Sequence, residues 1–136
     1  MERNRLYNVC KAIYTFLVKI IYRPQVIGKE NIPNEGSLIF AGNHRHAVDP
    51  VIVMSNTNRI VHYMAKEELF KGLHGLIFEK IGLIKVHRGK SNPVAVIEAE
   101  NILKNGGTIG IFPEGTRNRT NMKLLKFRHG AVAIAK

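Results

Sequence analysis

Four short apolar runs, Ser37–Ala41, Arg59–Ala65, Leu83–Val86 and Thr108–Phe112, constrain the fold more than any other feature of the chain. Each reads as a buried strand, and segments with helical spacing lie between them. Val51–Met54 is apolar and helical. Glu67 to Ile81 has helical spacing, weakened by Gly72 and Gly75. A third helix has Ser91 as its cap, Pro93 in its first turn and Gly106-Gly107 beyond its end. Alternation of this kind argues an α/β domain with a mixed, mostly parallel sheet flanked by helices. With 136 residues the length suits one domain and one core. The stretch Gly130–Lys136 reads as a helix with no stop signal, which predicts a truncated chain.

Ahead of this domain lies a different pattern. Leu6, Cys10, Ile13, Leu17 and Ile20 recur at helical spacing, widened by Val9 and Phe16. The other side carries Arg5, Asn8, Lys11, Thr15, Lys19 and Arg23. The apolar run Ala12–Tyr22 is interrupted by Lys19 and falls short of the about 20 residues a membrane span needs. No small-residue cleavage site follows it, so a signal peptide is a poor reading. Residues 1–23 are expected to form an amphipathic helix with basic flanks, ended by Pro24. It either packs on the core or lies flat on an anionic membrane surface.

Charge agrees with a polyanionic partner. Lys and Arg number 21 against 10 Asp and Glu, a net +11 that attracts nucleic acid, anionic lipid or a phosphorylated substrate. The single cysteine, Cys10, rules out an internal disulfide and suits a reducing cytosol.

Three polar clusters follow strand exits, the place where open α/β sheets bind ligands. The first runs Asn43-His44-Arg45-His46-Ala47-Val48-Asp49-Pro50. A histidine with an ordinary pKa of about 6.5 takes a proton from an alcohol near neutral pH. It does so better when a carboxylate fixes its tautomer. On a regular helix, residues five apart point about 140° from each other. A pair formed by His44 and Asp49 therefore requires non-helical backbone near His44, which Gly42 permits. A helix-capping Asp49 beside a solvated His44 fits the spacing equally well. No Gly-x-Ser-x-Gly elbow is present, so such a pair would act on a hydroxyl of the substrate.

The second cluster is Phe112-Pro113-Glu114-Gly115-Thr116-Arg117, a rigid turn, a glycine open to an anion and a guanidinium suited to phosphate. An ordinary strand-exit turn with exposed charges is the blander reading. The third, Gly82–Arg88, offers Arg88 as a second phosphate ligand.

The order Asn-His-x₄-Asp, Gly-x₅-Arg, Phe-Pro-Glu-Gly-Thr-Arg resembles the glycerolipid acyltransferase family, nearest to its bacterial 1-acylglycerol-3-phosphate branch. The resemblance spans the chain from about Val26 onward and makes residues 24–136 an acyltransferase domain. It implies that His44 is the general base and Asp49 its partner. It implies that Arg88, Glu114, Gly115, Thr116 and Arg117 line the site for the acceptor's phosphate and glycerol. The donor would be acyl-CoA or acyl-carrier protein, a substrate, with no metal and no resident cofactor. The setting would be the cytoplasmic face of the cell membrane, in peripheral or monotopic contact with an anionic surface, on the way to phospholipid. The family usually has Ser where this chain has His46, and commonly Ser in place of Asn118. It also continues into a further strand and a fourth motif rich in Val, Ile and Pro. If this chain is the whole molecule, both sheet and acyl pocket are incomplete.

Two rivals are weaker. His44, His46 and Asp49 could ligate a metal, but a closed zinc site usually uses cysteine and no further ligand is well placed. Arg117, Arg119, Lys123, Lys126 and Arg128 form a basic run containing Phe127, the pattern of a nucleic-acid-binding surface. One aromatic and no known motif make it thin, and no nucleic-acid partner is expected.

Overall fold

The structure, a computed structural model, describes residues 2–87 and 92–135. Strands β1 (Leu38–Ala41), β2 (Val61–Lys66), β3 (Ile84–Val86) and β4 (Thr108–Ile111) lie in the order β1-β4-β2-β3. Every pairing among them is parallel, so the expected mostly parallel sheet is wholly parallel over the described strands. Because β4 returns between β1 and β2, the first and last strands in sequence leave the sheet side by side. That arrangement brings the polar segments after β1 and β4 together.

The register assigns the two faces. Phe40, Gly110 and Tyr63 are mutual partners across β1, β4 and β2 and so share one face. On the other, Ile109 and Ile84 are fully buried against Ala95 and Ala99 of α4 (Pro93–Lys104) and Ile134 of α5 (Gly130–Ile134). The two alanines stand four apart on one stripe of α4, and their small side chains let the helix approach the sheet closely. Each fully buried isoleucine contributes roughly 1.5–3 kcal/mol. The Ser91 cap lies outside the described residues. Asn92 beside it closes the β3–α4 connection, its Oδ1 accepting from His87 N–H and its Nδ2 donating to the His87 carbonyl, both at 2.7 Å.

Helix α2 (Asp49–Ser55) covers the Phe40–Tyr63 face, and α1 (Glu2–Ile21) packs on α2. The face that α1 turns inward is not its apolar stripe. Tyr7 and Val18 are buried, 2% and 4% exposed, and between them Lys11 and Thr15 are half-buried. Tyr7 Oη accepts the Val61 N–H at 3.0 Å, and the Lys11 ammonium donates to the Thr57 carbonyl. Burial, with Lys29 nearby, pushes the Lys11 ammonium below its usual range. Val9, Ile13, Phe16 and Ile20 remain 55% to 64% exposed. α1 thus packs on the domain, but through a face set by Tyr7, Lys11 and Val18, and most of its apolar stripe stays outside. No helix among the described residues is long and apolar enough to cross a membrane.

The helix expected over 67–81 divides. A 3-10 turn, Glu67–Phe70, ends at Lys71 in extended geometry, and α3 (Gly72–Lys80) starts afresh from Gly72 at φ +74. Helical spacing survives the break, which is why periodicity alone missed it.

Candidate active site

His44 leaves β1 on non-helical backbone, as the spacing demanded, and its Nδ1 lies 2.9 Å from Asp49 Oδ2. Asp49 is the first residue of α2, yet its carboxylate does not cap that helix. The same Oδ2 accepts the backbone N–H groups of Arg45 and His46, each at 2.8 Å. Three converging donors fix this oxygen, so the helix-capping alternative gives way to a true pair. A carboxylate at Nδ1 places the proton there and leaves Nε2 as the basic nitrogen. The two side chains are 19% and 22% exposed, open enough for a substrate and sheltered enough to be held.

The turn after β4 locks this pair from behind. Gly115 N–H donates to the Phe112 carbonyl at 2.9 Å, closing a β-turn with Pro113 in its second position. The turn buries Glu114, 3% exposed, and aims its carboxylate at two backbone amides. Oε1 accepts the His44 N–H at 2.9 Å and Oε2 the Leu125 N–H at 3.0 Å. Glu114, expected among the acceptor ligands, therefore spends both oxygens on the protein's own backbone. It ties the segment after β1 that carries His44 to the loop that follows β4.

Aromatic rings set the orientation of the His44 imidazole. Phe112 stacks on His44 with centroids 4.2 Å apart and planes 18° from parallel. Tyr63 continues the stack on Phe112 at 5.9 Å and 10°. Tyr63 lies flat across β4 because its partner there is glycine: a Cβ on Gly110 would sit 2.2 Å from the ring. Beside the stack is an apolar cavity of about 80 Å³ lined by Phe40, Ala41, Val53, Tyr63, Ile111 and Phe112. Burial raises the Tyr63 hydroxyl above its ordinary range, with Tyr7 adding to the effect.

The cationic part is more open. Thr116 is half-buried and Arg117 exposed at the mouth of the turn. Arg88 lies outside the described residues. Gly115 adopts φ +65, and a Cβ there would come within 2.8 Å of Arg128 Nε. Arg128, read from sequence only as part of a basic run, is thus a cation seated against the turn. Its backbone N–H donates to the Pro113 carbonyl at 2.8 Å.

The two departures from the family pattern both have structural work. The His46 ring meets Tyr22 of the α1 exit edge-on, with centroids 5.7 Å apart, while its N–H serves Asp49. Asn118 is buried, and its N–H donates to the His44 carbonyl at 2.6 Å. Its side-chain oxygen accepts from Thr120 N–H and Oγ1 while its nitrogen donates to the Met122 carbonyl, so the two ends of the amide hold different parts of the loop. Sequence reasoning missed the Phe112 stack and the Glu114 ties. The signal was present, an aromatic and an acid flanking a proline at a strand exit, but nothing in it told inward from outward. Among the described residues no three His, Cys, Asp or Glu side chains converge to hold a metal ion.

The chain has relatives of known kind. Residues 23–136 match the Acyltransferase family. The chain is 31% identical over 132 residues to a 1-acyl-sn-glycerol-3-phosphate acyltransferase of Bacillus subtilis (strain 168), covering 96% of this chain and 65% of that protein. It is 35% identical over 135 residues to the enzyme of the same name from Borreliella burgdorferi, covering 96% and 52%. The crystal structure of the 1-acyl-sn-glycerophosphate (LPA) acyltransferase PlsC from Thermotoga maritima superposes with a TM-score of 0.76 at 27% identity, over 98% of this chain and 54% of that one. The chain thus spans between about half and two thirds of these relatives' lengths. With the His44–Asp49 pair and the turn behind it in the same fold as these enzymes, the chain belongs to the acyltransferase family.

Proposed function

We propose that the protein transfers a fatty acyl group from an acyl thioester to the free hydroxyl of a lysophosphatidate-type acceptor, a step of phospholipid synthesis. The observation that carries this is the 2.9 Å contact of His44 Nδ1 with an Asp49 carboxylate fixed by two further amides, beside a cationic turn. The relatives named 1-acyl-sn-glycerol-3-phosphate acyltransferase support the choice of acceptor.

The reaction follows from the tautomer. With Nδ1–H held by Asp49, His44 Nε2 takes the proton from the acceptor hydroxyl as its oxygen attacks the thioester carbonyl. The tetrahedral intermediate collapses, the C–S bond breaks, and the imidazolium returns its proton to the departing thiolate. Ester and thiol are the products, and no covalent enzyme intermediate is required. Asp49 stabilises the imidazolium while it exists. Arg117, with Arg88, grips the acceptor phosphate as a planar cation suited to bidentate contact. Backbone N–H groups facing the developing oxyanion would add about 3–4 kcal/mol. Acyl-CoA or acyl-carrier protein serves as donor.

The acceptor is a lipid, and the exposed stripe of α1 is suited to meeting it at the membrane. Val9, Ile13, Phe16 and Ile20 face outward between basic flanks, the pattern of a helix lying in an anionic interface. On this reading the protein works peripherally, at the cytoplasmic face of the cell membrane.

The test is thiol release from an acyl thioester with and without lysophosphatidate. Release that requires an acceptor carrying both a hydroxyl and a phosphate is the expected result. Release that is indifferent to acceptor, or absent while RNA is bound tightly at physiological salt, contradicts it.

A further inference from the structure

We infer that the loop following β4 is a second bilayer contact, in which Met122, Leu124 and Phe127 enter an anionic lipid interface while Arg119, Lys123 and Lys126 meet its phosphates. This rests on the proposed membrane reading of α1 and extends it to a separate element.

The loop is held from inside. Asn118 Nδ2 donates to the Met122 carbonyl at 2.8 Å, and Arg45 Nη1 reaches the same oxygen at 3.2 Å. Thr120 Oγ1 accepts the Met122 N–H at 3.2 Å, and Glu114 takes the Leu125 N–H. Leu125 turns partly inward. Its neighbours do the opposite: Met122, Leu124 and Phe127 are 61%, 49% and 51% exposed. The backbone is anchored at Met122, Leu125 and Arg128 and the apolar side chains are turned out, so their exposure does not come from a loop lacking anchors.

Single exposed apolar residues are ordinary on any surface. Here three fall within six positions, interleaved with cations, and no acidic residue occurs from Gly115 to Lys136. Apolar side chains between lysines and arginines match an interface of acyl chains beneath anionic headgroups. Two of the three, Met122 and Leu124, have no ring on which a nucleobase could stack, which favours lipid over a single-stranded nucleic acid.

Position gives the contact a purpose. Asn118 and Arg45 bind the loop to the His44 segment on one side. On another, the Tyr22 ring at the α1 exit meets His46. The exposed end of α1, with Ile20, Ile21 and Tyr22 46% to 66% exposed, and the loop therefore flank the same stretch of chain. Two apolar contacts around the base would hold it at headgroup depth, where the acceptor's glycerol hydroxyl already lies.

The chain contains no tryptophan, so one introduced indole reports its own surroundings. Leu124→Trp and Phe127→Trp test the loop, and Phe16→Trp tests α1. Each is titrated with phosphatidylcholine vesicles containing a phosphatidylglycerol minority and brominated acyl chains. A blue shift and bromine quenching in all three are expected. A response from Phe16→Trp alone overturns the loop contact and leaves the α1 reading standing. Silence in all three overturns both, as does quenching of Phe127→Trp by RNA at physiological salt without a vesicle response. A Lys123→Gln/Lys126→Gln variant should lose on the order of thirtyfold in partition onto these vesicles and nothing on pure phosphatidylcholine. Unchanged partition overturns the electrostatic half of the contact.

Discussion

Replacing Glu114 by glutamine separates a carboxylate that holds backbone from one that touches substrate. Its two oxygens accept the His44 and Leu125 N–H groups at 2.9 and 3.0 Å in a site only 3% exposed. A hydrogen bond to a charged group stabilises by about 1.5–3 kcal/mol, and a buried donor left unpaired costs about 1–3 kcal/mol. Glutamine keeps one acceptor and turns an NH₂ toward the other amide, so one bond is lost and two donors face each other. The expected loss is about 2–3 kcal/mol, and Glu114→Ala, which loses both, falls by about 3–6 kcal/mol. For a chain of this size 1 kcal/mol moves Tm by roughly 3–5 °C, so the glutamine variant should melt roughly 6–15 °C lower. Circular dichroism melting reads this directly. Thiol-release kinetics on the same sample should show kcat reduced, because the His44 backbone has lost its anchor, with KM for the acceptor less affected. An unchanged Tm with a raised acceptor KM would refute the tie and restore Glu114 as a substrate ligand.

Other residues give equally specific expectations. Asp49→Asn disturbs the tautomer that leaves Nε2 basic, and kcat should fall by about 10²–10⁴-fold with the fold retained; a rate within a factor of two of the parent would remove Asp49 from the mechanism. Arg59 joins the amino ends of the strands, donating to Thr108 Oγ1 at 2.5 Å, to the Pro33 and Gly106 carbonyls at 3.0 Å, and to the Gly36 carbonyl. Arg59→Ala should cost about 2–4 kcal/mol in urea unfolding, and a loss below half of the lower figure would mean that these carbonyls are satisfied otherwise. Burial raises both Tyr7 and Tyr63 above 10.0, so their contribution to stability is complete below pH 10.0 and is lost as pH climbs above it, where the unfolded chain releases its protons first. Tyr63 Oη is buried without a hydrogen-bond partner among the described residues. Tyr63→Phe should therefore be at least as stable at neutral pH and decline less steeply in alkali, as followed by denaturant midpoints across pH.

Much of the fold was legible because its signals are local. Strands β1 to β4 fall within one or two residues of the apolar runs, and the polar exits of β1 and β4 meet, while the Arg88 end of the third cluster lies outside the described residues. The His44–Asp49 pairing was legible as chemistry but not as geometry: spacing alone allowed a cap, and only the folded loop aims Asp49 Oδ2 at Nδ1. Two features were hidden for one reason, that periodicity names a face without saying what covers it. In α1 the apolar stripe was plain, yet Tyr7, Val18 and the Lys11 bond to Thr57 choose the opposite side for the interior. In the turn after β4, Glu114 and Phe112 could be listed from sequence. That one ties backbone and the other stacks on the base depends on β4 folding back beside β1, a long-range event.

The proposed reaction turns on His44 Nε2 taking the acceptor's proton. The most direct measurement is the rate of thiol release from an acyl thioester, at saturating lysophosphatidate, by His44→Ala whose circular dichroism and melting match the parent. Acceptor-dependent release should fall to background, a loss of about 10²–10⁴-fold. A folded His44→Ala protein that releases thiol at the parent rate would contradict it.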